Sequence, residues 1–364
     1  MYNSKYVKGD YDMVNWENNI RRVVPYTPGE QPDQPDMIKL NTNENPYPPA
    51  PGVRDALDAV EEDLLRRYPD PTSEVLNSTI ANYYGVKTSQ VFTGVGSDDV
   101  LSVAFLTFFN SDKPVFFPDI TYSFYKVWAD VYRIPYATMP LDKNFKIVKE
   151  DYYPKNGGVI FPNPNAPTAI YMGLDEVRDI IEHNRDVIVI VDEAYIDFGG
   201  ESALSLIDEY DNLVVVQTFS KSRSLAGLRI GYAISGNERL IKAMNDVKYS
   251  INSYTMNQTA IYAGAESIKD KEYFTKQVNK IIATREKTVK ELEELGFTCL
   301  PSKANFVFAK HDKAAAKDIF EQLKARDIFV RYFNQPRIDN FLRITIGTDK
   351  EMEELVSALK DIIG

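Results

Sequence analysis

Val187-Ile188-Val189-Ile190-Val191-Asp192-Glu193-Ala194-Tyr195 sets five β-branched residues in a row and ends them abruptly in two carboxylates and an aromatic ring. A run with no polar face reads as a strand buried on both sides, and sheets covered on both sides are mostly parallel, with helices above and below. Working outward, Val91-Phe92-Thr93, Val115-Phe116-Phe117, Val159-Ile160-Phe161 and Leu213-Val214-Val215-Val216 are short runs of the same kind. They are separated mostly by segments with helical spacing. Val53, Ala56, Leu57, Val60 and Leu64 recur at that spacing, and a second helix is predicted over Ser73 to Tyr84. The fold class is therefore α/β, a mostly parallel sheet flanked by helices.

The pattern changes near residue 271. A long amphipathic segment from Lys271 to Leu295 closes at Gly296 and has the length to bridge two domains. Strand-like Asn305 to Ala309, Ile328 to Tyr332 and Phe341 to Ile346 follow, with helices predicted over Lys313 to Arg326 and Lys350 to Ile363. The first forty residues are polar and punctuated by Pro25, Pro28, Pro32 and Pro35, so they read as an arm lying over something larger. This organisation predicts an arm at 1–40, a large domain at 41–270 and a smaller α+β domain at 271–364.

Composition narrows the function. Forty-two lysines and arginines against 53 aspartates and glutamates give a formal charge of −11, which disfavours nucleic acid and anionic membrane surfaces as partners. Any anionic ligand must be held by local cations and backbone donors. The single cysteine, Cys299, cannot form an intramolecular disulfide, and His183 and His311 have no cysteine at metal-ligand spacing. Met1 to Asp10 has no apolar leader region, and no apolar run approaches the length of a membrane span. The expectation is a cytoplasmic protein with a metal-free site.

Ligands of parallel α/β sheets bind beyond the carboxyl ends of the strands, so the residues ending each apolar run carry the chemistry. Gly94-Val95-Gly96-Ser97-Asp98-Asp99 follows the first run and opens a helix, where free amides attract phosphate. Position 99 is Asp99, so the glycine fingerprint of dinucleotide binding fails, and no P-loop is present. Asp192 stands at the mouth of its strand as a carboxylate able to keep a ring nitrogen protonated. Leu213 to Val216 leads into Gln217-Thr218-Phe219-Ser220-Lys221-Ser222-Arg223-Ser224, and Arg229 lies eight residues beyond Lys221. A lysine among serines with a second cation nearby fits a nucleophilic amine beside a phosphate fork. In Phe341-Leu342-Arg343-Ile344-Thr345-Ile346, Arg343 sits among residues that should be buried and needs an anionic partner. Arg331 supplies a second cation, and two arginines suit a dianionic phosphate better than a carboxylate.

With these motifs in place, the sequence resembles the fold-type-I pyridoxal-phosphate aminotransferases over essentially its whole length. The resemblance implies a large domain with a mostly parallel seven-stranded sheet, plus the smaller α+β domain. It implies that Lys221 binds pyridoxal 5'-phosphate covalently, that Asp192 holds the pyridine nitrogen and that Tyr195 bonds the ring 3-hydroxyl. Gly96, Ser97, Asp98, Ser220 and Arg229 would cradle the phosphate, and Tyr122 would stack on the ring. The family usually reads Asn-Pro-Thr-Gly where this chain reads Asn163-Pro164-Asn165-Ala166-Pro167-Thr168-Ala169. Ala166 cannot supply the usual bond to the 3-hydroxyl, and Asn165 is the nearest substitute.

Val24-Pro25-Tyr26-Thr27-Pro28-Gly29 and Leu40-Asn41-Thr42-Asn43-Glu44-Asn45-Pro46, together with the two arginines, look like the branch of that family acting on histidinol phosphate. The branch implies transfer of an amino group from L-histidinol phosphate to 2-oxoglutarate, giving L-glutamate. It places Tyr26, Asn43, Arg331 and Arg343 on the substrate. It also sends Tyr68 to the cofactor phosphate of a neighbouring subunit, hence a homodimer with shared sites. The alternatives are an aromatic or broad-specificity aminotransferase, a phosphothreonine-type pyridoxal-phosphate decarboxylase, and a non-catalytic regulator that keeps the cofactor.

Overall fold

A computed structural model describes residues 15–364, so the reading of Met1 to Asp10 lies outside the described residues. The main sheet contains β2 (Val91–Gly94), β3 (Val115–Pro118), β4 (Tyr136–Met139), β5 (Gly158–Pro162), β6 (Val189–Asp192), β7 (Leu213–Thr218) and β8 (Gly231–Ile234). Before them in the chain lies β1 (Ile38–Lys39), which belongs to another sheet. The seven strands lie in the order β2-β8-β7-β6-β5-β3-β4. Each pair from β7 to β4 is parallel, while β8 runs antiparallel to both β7 and β2.

The period of two along each strand separates two cores. Ile160, Ile190, Val214 and Val216 pack on one face, with helices Gly96–Phe108 and Phe124–Tyr132 over them. Val159, Phe161, Val189, Val191 and Val215 face the other way, toward helices Glu74–Tyr84 and Leu174–Glu182. All nine strand side chains are buried, which is why their sequence shows no polar alternation.

The C-terminal part carries β9 (Phe297–Cys299), β10 (Phe306–His311), β11 (Ile328–Phe329), β12 (Arg331–Tyr332) and β13 (Leu342–Thr345). A four-stranded sheet runs β12-β13-β10-β9, and β11 pairs separately with β1. Its core gathers Ile38, Leu40, Ile281, Leu292, Val307, Leu342, Ile344, Leu355 and Leu359. Helix Lys271–Glu294 spans the predicted long segment, and Gly296 after it adopts φ +87°, a left-handed turn that stops the helix.

Three expectations are corrected. The helix over Val53 to Leu64 is two pieces, Gly52–Asp58 and Glu62–Leu65, because Glu61 is extended between them. The single strand over Ile328 to Tyr332 divides at Val330 between two sheets, β11 on β1 and β12 on β13. Val187 and Ile188 precede β6 rather than forming it.

Ile190 is fully buried at the centre of the sheet. Ile190→Ala should lower unfolding free energy by about 2–5 kcal/mol through lost burial plus a residual cavity. A shift of the urea midpoint at unchanged slope measures this.

Candidate active site

The parallel strands all end on one edge of the sheet, and the loops leaving that edge converge. Thus Ser97 and Asp98 follow β2, Tyr122 follows β3, Asp192 and Tyr195 end and follow β6, and Ser220 and Lys221 follow β7. Reversal of β8 brings its first residue, Gly231, to the same edge, and with it Arg229 just upstream. All of these except Gly231 line one cavity of about 580 Å³, together with Tyr26, Asn43, Arg331 and Arg343. Lys221 and Asp192 share that cavity.

At one end the backbone is pressed tightly together. A side chain at Gly231 would begin 2.3 Å from the Ser97 amide nitrogen, and one at Gly96, with φ +82°, would meet the Arg229 guanidinium at 2.4 Å. Only glycine fits at either position. Arg229 therefore lies against the N-terminus of helix Gly96–Phe108, where amide dipoles and a guanidinium favour an anion. Asp98 bonds Arg229 at 3.0 Å and accepts the Tyr122 hydroxyl at 2.6 Å.

Asp192 is only 4% exposed. It accepts the Tyr125 hydroxyl at 2.8 Å and the Ala194 amide at 3.3 Å, and no cation bonds it among the described residues. Burial pushes its carboxyl up to about 6, against the lowering effect of those two donors. A carboxylate so placed favours a protonated ring nitrogen as its partner. The neighbouring Glu193, raised to about 7 by burial, is occupied by Ser202, the Ala203 amide and Gln217, and serves the scaffold.

Lys221 donates to the Thr42 carbonyl at 3.1 Å and lies 5.8 Å from the Tyr195 ring centre. Asn45 holds the lysine loop by donating to the carbonyls of Lys221 and Ser222. Arg343 donates to the Asn41 carbonyl at 2.8 Å, while its Nε is buried with no partner. Arg343 and Arg331 both flank Phe333, and neither forms an ion pair among the described residues. The anionic partner expected for Arg343 is thus not a carboxylate of this chain among the described residues. Tyr26 stacks on Phe124 at 4.2 Å, at the cavity wall.

Two predicted residues stand elsewhere. Asn165 is buried outside the cavity, its carboxamide engaged with Ile120, Thr121 and Thr168, so the substitution of Asn165 for the missing Asn at position 166 is corrected. Tyr68 is 79% exposed, stacked on Tyr254, and outside the cavity of its own chain. Gly96 is not among the lining residues, and packs behind them against Arg229 and Gly231. Residues that sequence reasoning missed are Thr42, Asn45, Tyr125 and Phe333. Asn45 lay within a quoted motif read as turn-forming, whereas Tyr125 is indistinguishable by pattern from any buried helix aromatic.

The arrangement can hold an aromatic phosphate with an electrophilic carbon at Lys221, a ring nitrogen at Asp192 and a phosphate at the helix terminus. The sequence pattern of the aminotransferase class I and II family matches residues 35–359, and the chain belongs to that family, whose cofactor is pyridoxal phosphate. The histidinol-phosphate aminotransferase of Clostridium acetobutylicum is 52% identical over 348 residues, 96% of this chain and 99% of that protein. Histidinol-phosphate aminotransferase 1 of Hydrogenovibrio crunogenus is also 52% identical over 348 residues, covering 96% and 98%. Within the class, then, this chain is a member of the histidinol-phosphate aminotransferase family. The structure of the Sinorhizobium meliloti histidinol-phosphate aminotransferase in complex with pyridoxal-5'-phosphate shares the fold, with a TM-score of 0.82 at 24% identity over 90% of each chain.

The raised carboxyl of Asp192 predicts a pH signature in the cofactor-free protein. A folded-state pKa above the unfolded value means the folded state binds the proton more tightly, so this group's penalty is absent well below pH 4 and grows as pH rises through 6. Asp192→Asn should stabilise cofactor-free protein by roughly 3 kcal/mol at pH 8 and by little at pH 4. Melting curves at the two pH values measure the difference.

Proposed function

We propose that this chain transfers the amino group of L-histidinol phosphate to 2-oxoglutarate, producing imidazole acetol phosphate and L-glutamate for histidine biosynthesis. The observation that carries the substrate is the pair Arg331 and Arg343, in the cavity of Lys221 and Asp192 with no carboxylate bonded to either among the described residues. Two unpaired guanidiniums match a phosphate dianion, and one can still grip the carboxylate of the second substrate.

When bound, pyridoxal phosphate supplies an electrophilic carbon and an electron-accepting ring. Lys221 would hold it covalently and Asp192 would keep its ring nitrogen charged. Gly96, Ser97, Asp98, Ser220 and Arg229 would take the phosphate, and Tyr122 and Tyr195 the ring. Once displaced, the Lys221 amine is the base that takes the proton from the substrate carbon. Tyr26 and Phe333 wall the space beside the arginines and suit a flat imidazole.

The proposal includes a cytoplasmic homodimer built of a 1–40 arm, a 41–270 cofactor domain and a 271–364 small domain. The exposed apolar side chains of Leu65, Tyr68, Ile251 and Tyr254 support the dimer, since such groups favour a covered surface. Tyr68 would reach the partner's cofactor phosphate from there.

Lys221→Ala should lose the visible absorbance of lysine-bound cofactor and nearly all amino transfer. Persistence of both would remove the lysine from its role. With 2-oxoglutarate as acceptor, L-histidinol phosphate should exceed L-phenylalanine in kcat/KM by roughly 100-fold or more, because charge-assisted bonds to two arginines are at stake. Arg331→Ala should erase most of that preference. Equal rates with both amines would favour a broad-specificity aminotransferase, and release of carbon dioxide a decarboxylase.

A further inference from the structure

Ala166 lines the cavity and offers it no side-chain hydrogen bond. The neighbouring asparagines are occupied elsewhere, Asn163 by Met172 and Asn165 by Ile120, Thr121 and Thr168. The orientation of the Tyr195 hydroxyl then governs how the ring oxygen of the cofactor is met.

Asn43 determines that orientation. It is 1% exposed and adopts φ +58°, a left-handed conformation that asparagine tolerates. Its N–H donates to Thr345 Oγ1 at 3.0 Å, and its carbonyl accepts from Asn305 Nδ2 at 3.0 Å. Thr345 Oγ1 donates in turn to Asn43 Oδ1 at 3.1 Å, leaving Asn43 Nδ2 to donate to the Tyr195 hydroxyl at 2.9 Å. The opposite placement of the amide would leave the buried Thr345 proton with no acceptor, which buried donors avoid. Because the Tyr195 oxygen accepts, its own proton remains free for a partner in the cavity.

We infer that Asn43 is a positioning residue: by donating to the Tyr195 oxygen it turns the phenol into the donor for the cofactor ring oxygen. In this chain it thereby supplies a polar control of the ring oxygen that Ala166 cannot. The inference rests on the pyridoxal-phosphate reading of the cavity and deepens it. It assigns the Asn43 carboxamide to Tyr195 rather than to substrate. It also ties Tyr195 to β13, the strand that carries Arg343 two residues before Thr345.

The test is a spectrophotometric pH titration of the holoenzyme. A donor to the ring oxygen stabilises its anionic form, so losing the donor makes the lysine-bound cofactor keep its proton to higher pH. Asn43→Ala should raise the midpoint of the absorbance change by about one pH unit. Tyr195→Phe should raise it at least as far, and the double variant no further than Tyr195→Phe alone. Thr345→Val keeps the Asn43 amide but releases it, and should give a smaller rise, which covers the case in which Asn43→Ala fails to fold. An unmoved midpoint in Asn43→Ala, or in Thr345→Val where that variant stands in, overturns the inference. A shift that adds in full to that of Tyr195→Phe overturns it as well. A wild-type protein without visible absorbance would instead remove the cofactor reading on which it stands.

Discussion

Three consecutive residues bind three functional side chains: the Asn41 carbonyl accepts from Arg343, the Thr42 carbonyl accepts from Lys221, and the Asn43 carboxamide donates to Tyr195. Each of the held groups comes from a different part of the chain, β13, the loop after β7 and the loop after β6. The segment is itself fixed on both flanks. Leu40 bonds across to Phe329 and Thr345 through its backbone, and Asn45 grips the lysine loop. Small displacements here would misplace the Lys221 amine, the Arg343 guanidinium and the Tyr195 phenol together. Reactive geometry tolerates little of that.

Charge supplies the second constraint. The protein as a whole carries −11, yet its cavity holds Lys126, Lys221, Arg229, Arg331 and Arg343 against Asp98, Asp119, Asp130 and Asp192. Asp98 is occupied by Arg229 and Asp119 by Arg337. Beside these pairs, Asp192 is a buried carboxylate with no cation bonded to it, and Arg331 and Arg343, like Lys126 and Lys221, have no carboxylate bonded to them among the described residues. Burial, with Arg331 beside it, pushes Arg343 below the ordinary arginine value. Such groups cost stability in the empty protein, and the cost is recovered when ligands of opposite charge arrive. A cationic ring nitrogen at Asp192 and an anion at the arginines would complement these groups.

Much of this was legible because β5, β6 and β7 are buried on both faces and end in polar residues, so a strand-end search led directly to Asp192 and Lys221. The reversed strand β8 was not read as a strand, since Gly231-Tyr232-Ala233-Ile234 is short and begins in glycine. Edge strand β4 was missed because Tyr136 is exposed and the strand lacks a buried run. The role of Asn41 to Asn43 was invisible for a different reason. Its bonds span 152 to 302 positions, and a local pattern of turn-forming residues holds no record of partners so distant. Tyr125 is hidden likewise, its hydroxyl distinguished from other buried tyrosines only by the carboxylate it meets.

The departure at Asn163 to Ala169 shows how a missing functional group can be absorbed by scaffold. Ala169 adopts φ +64°, a conformation costing an L-residue roughly 1 kcal/mol or more. The surrounding bonds impose it. Asn163 clasps the Met172 backbone through both ends of its carboxamide, Ala169 donates to the Asn165 carbonyl, and Lys303 donates to Ala169. The asparagines of this loop are therefore committed to holding its shape, and Ala166 presents only a methyl to the cavity. A loop so committed has no donor to lend, and the nearest polar control of Tyr195 has to come from outside it, from a segment hung on the second sheet. Arg343 belongs to that sheet too. The arginine proposed for the substrate and the asparagine that bonds Tyr195 are thus held by one strand, β13.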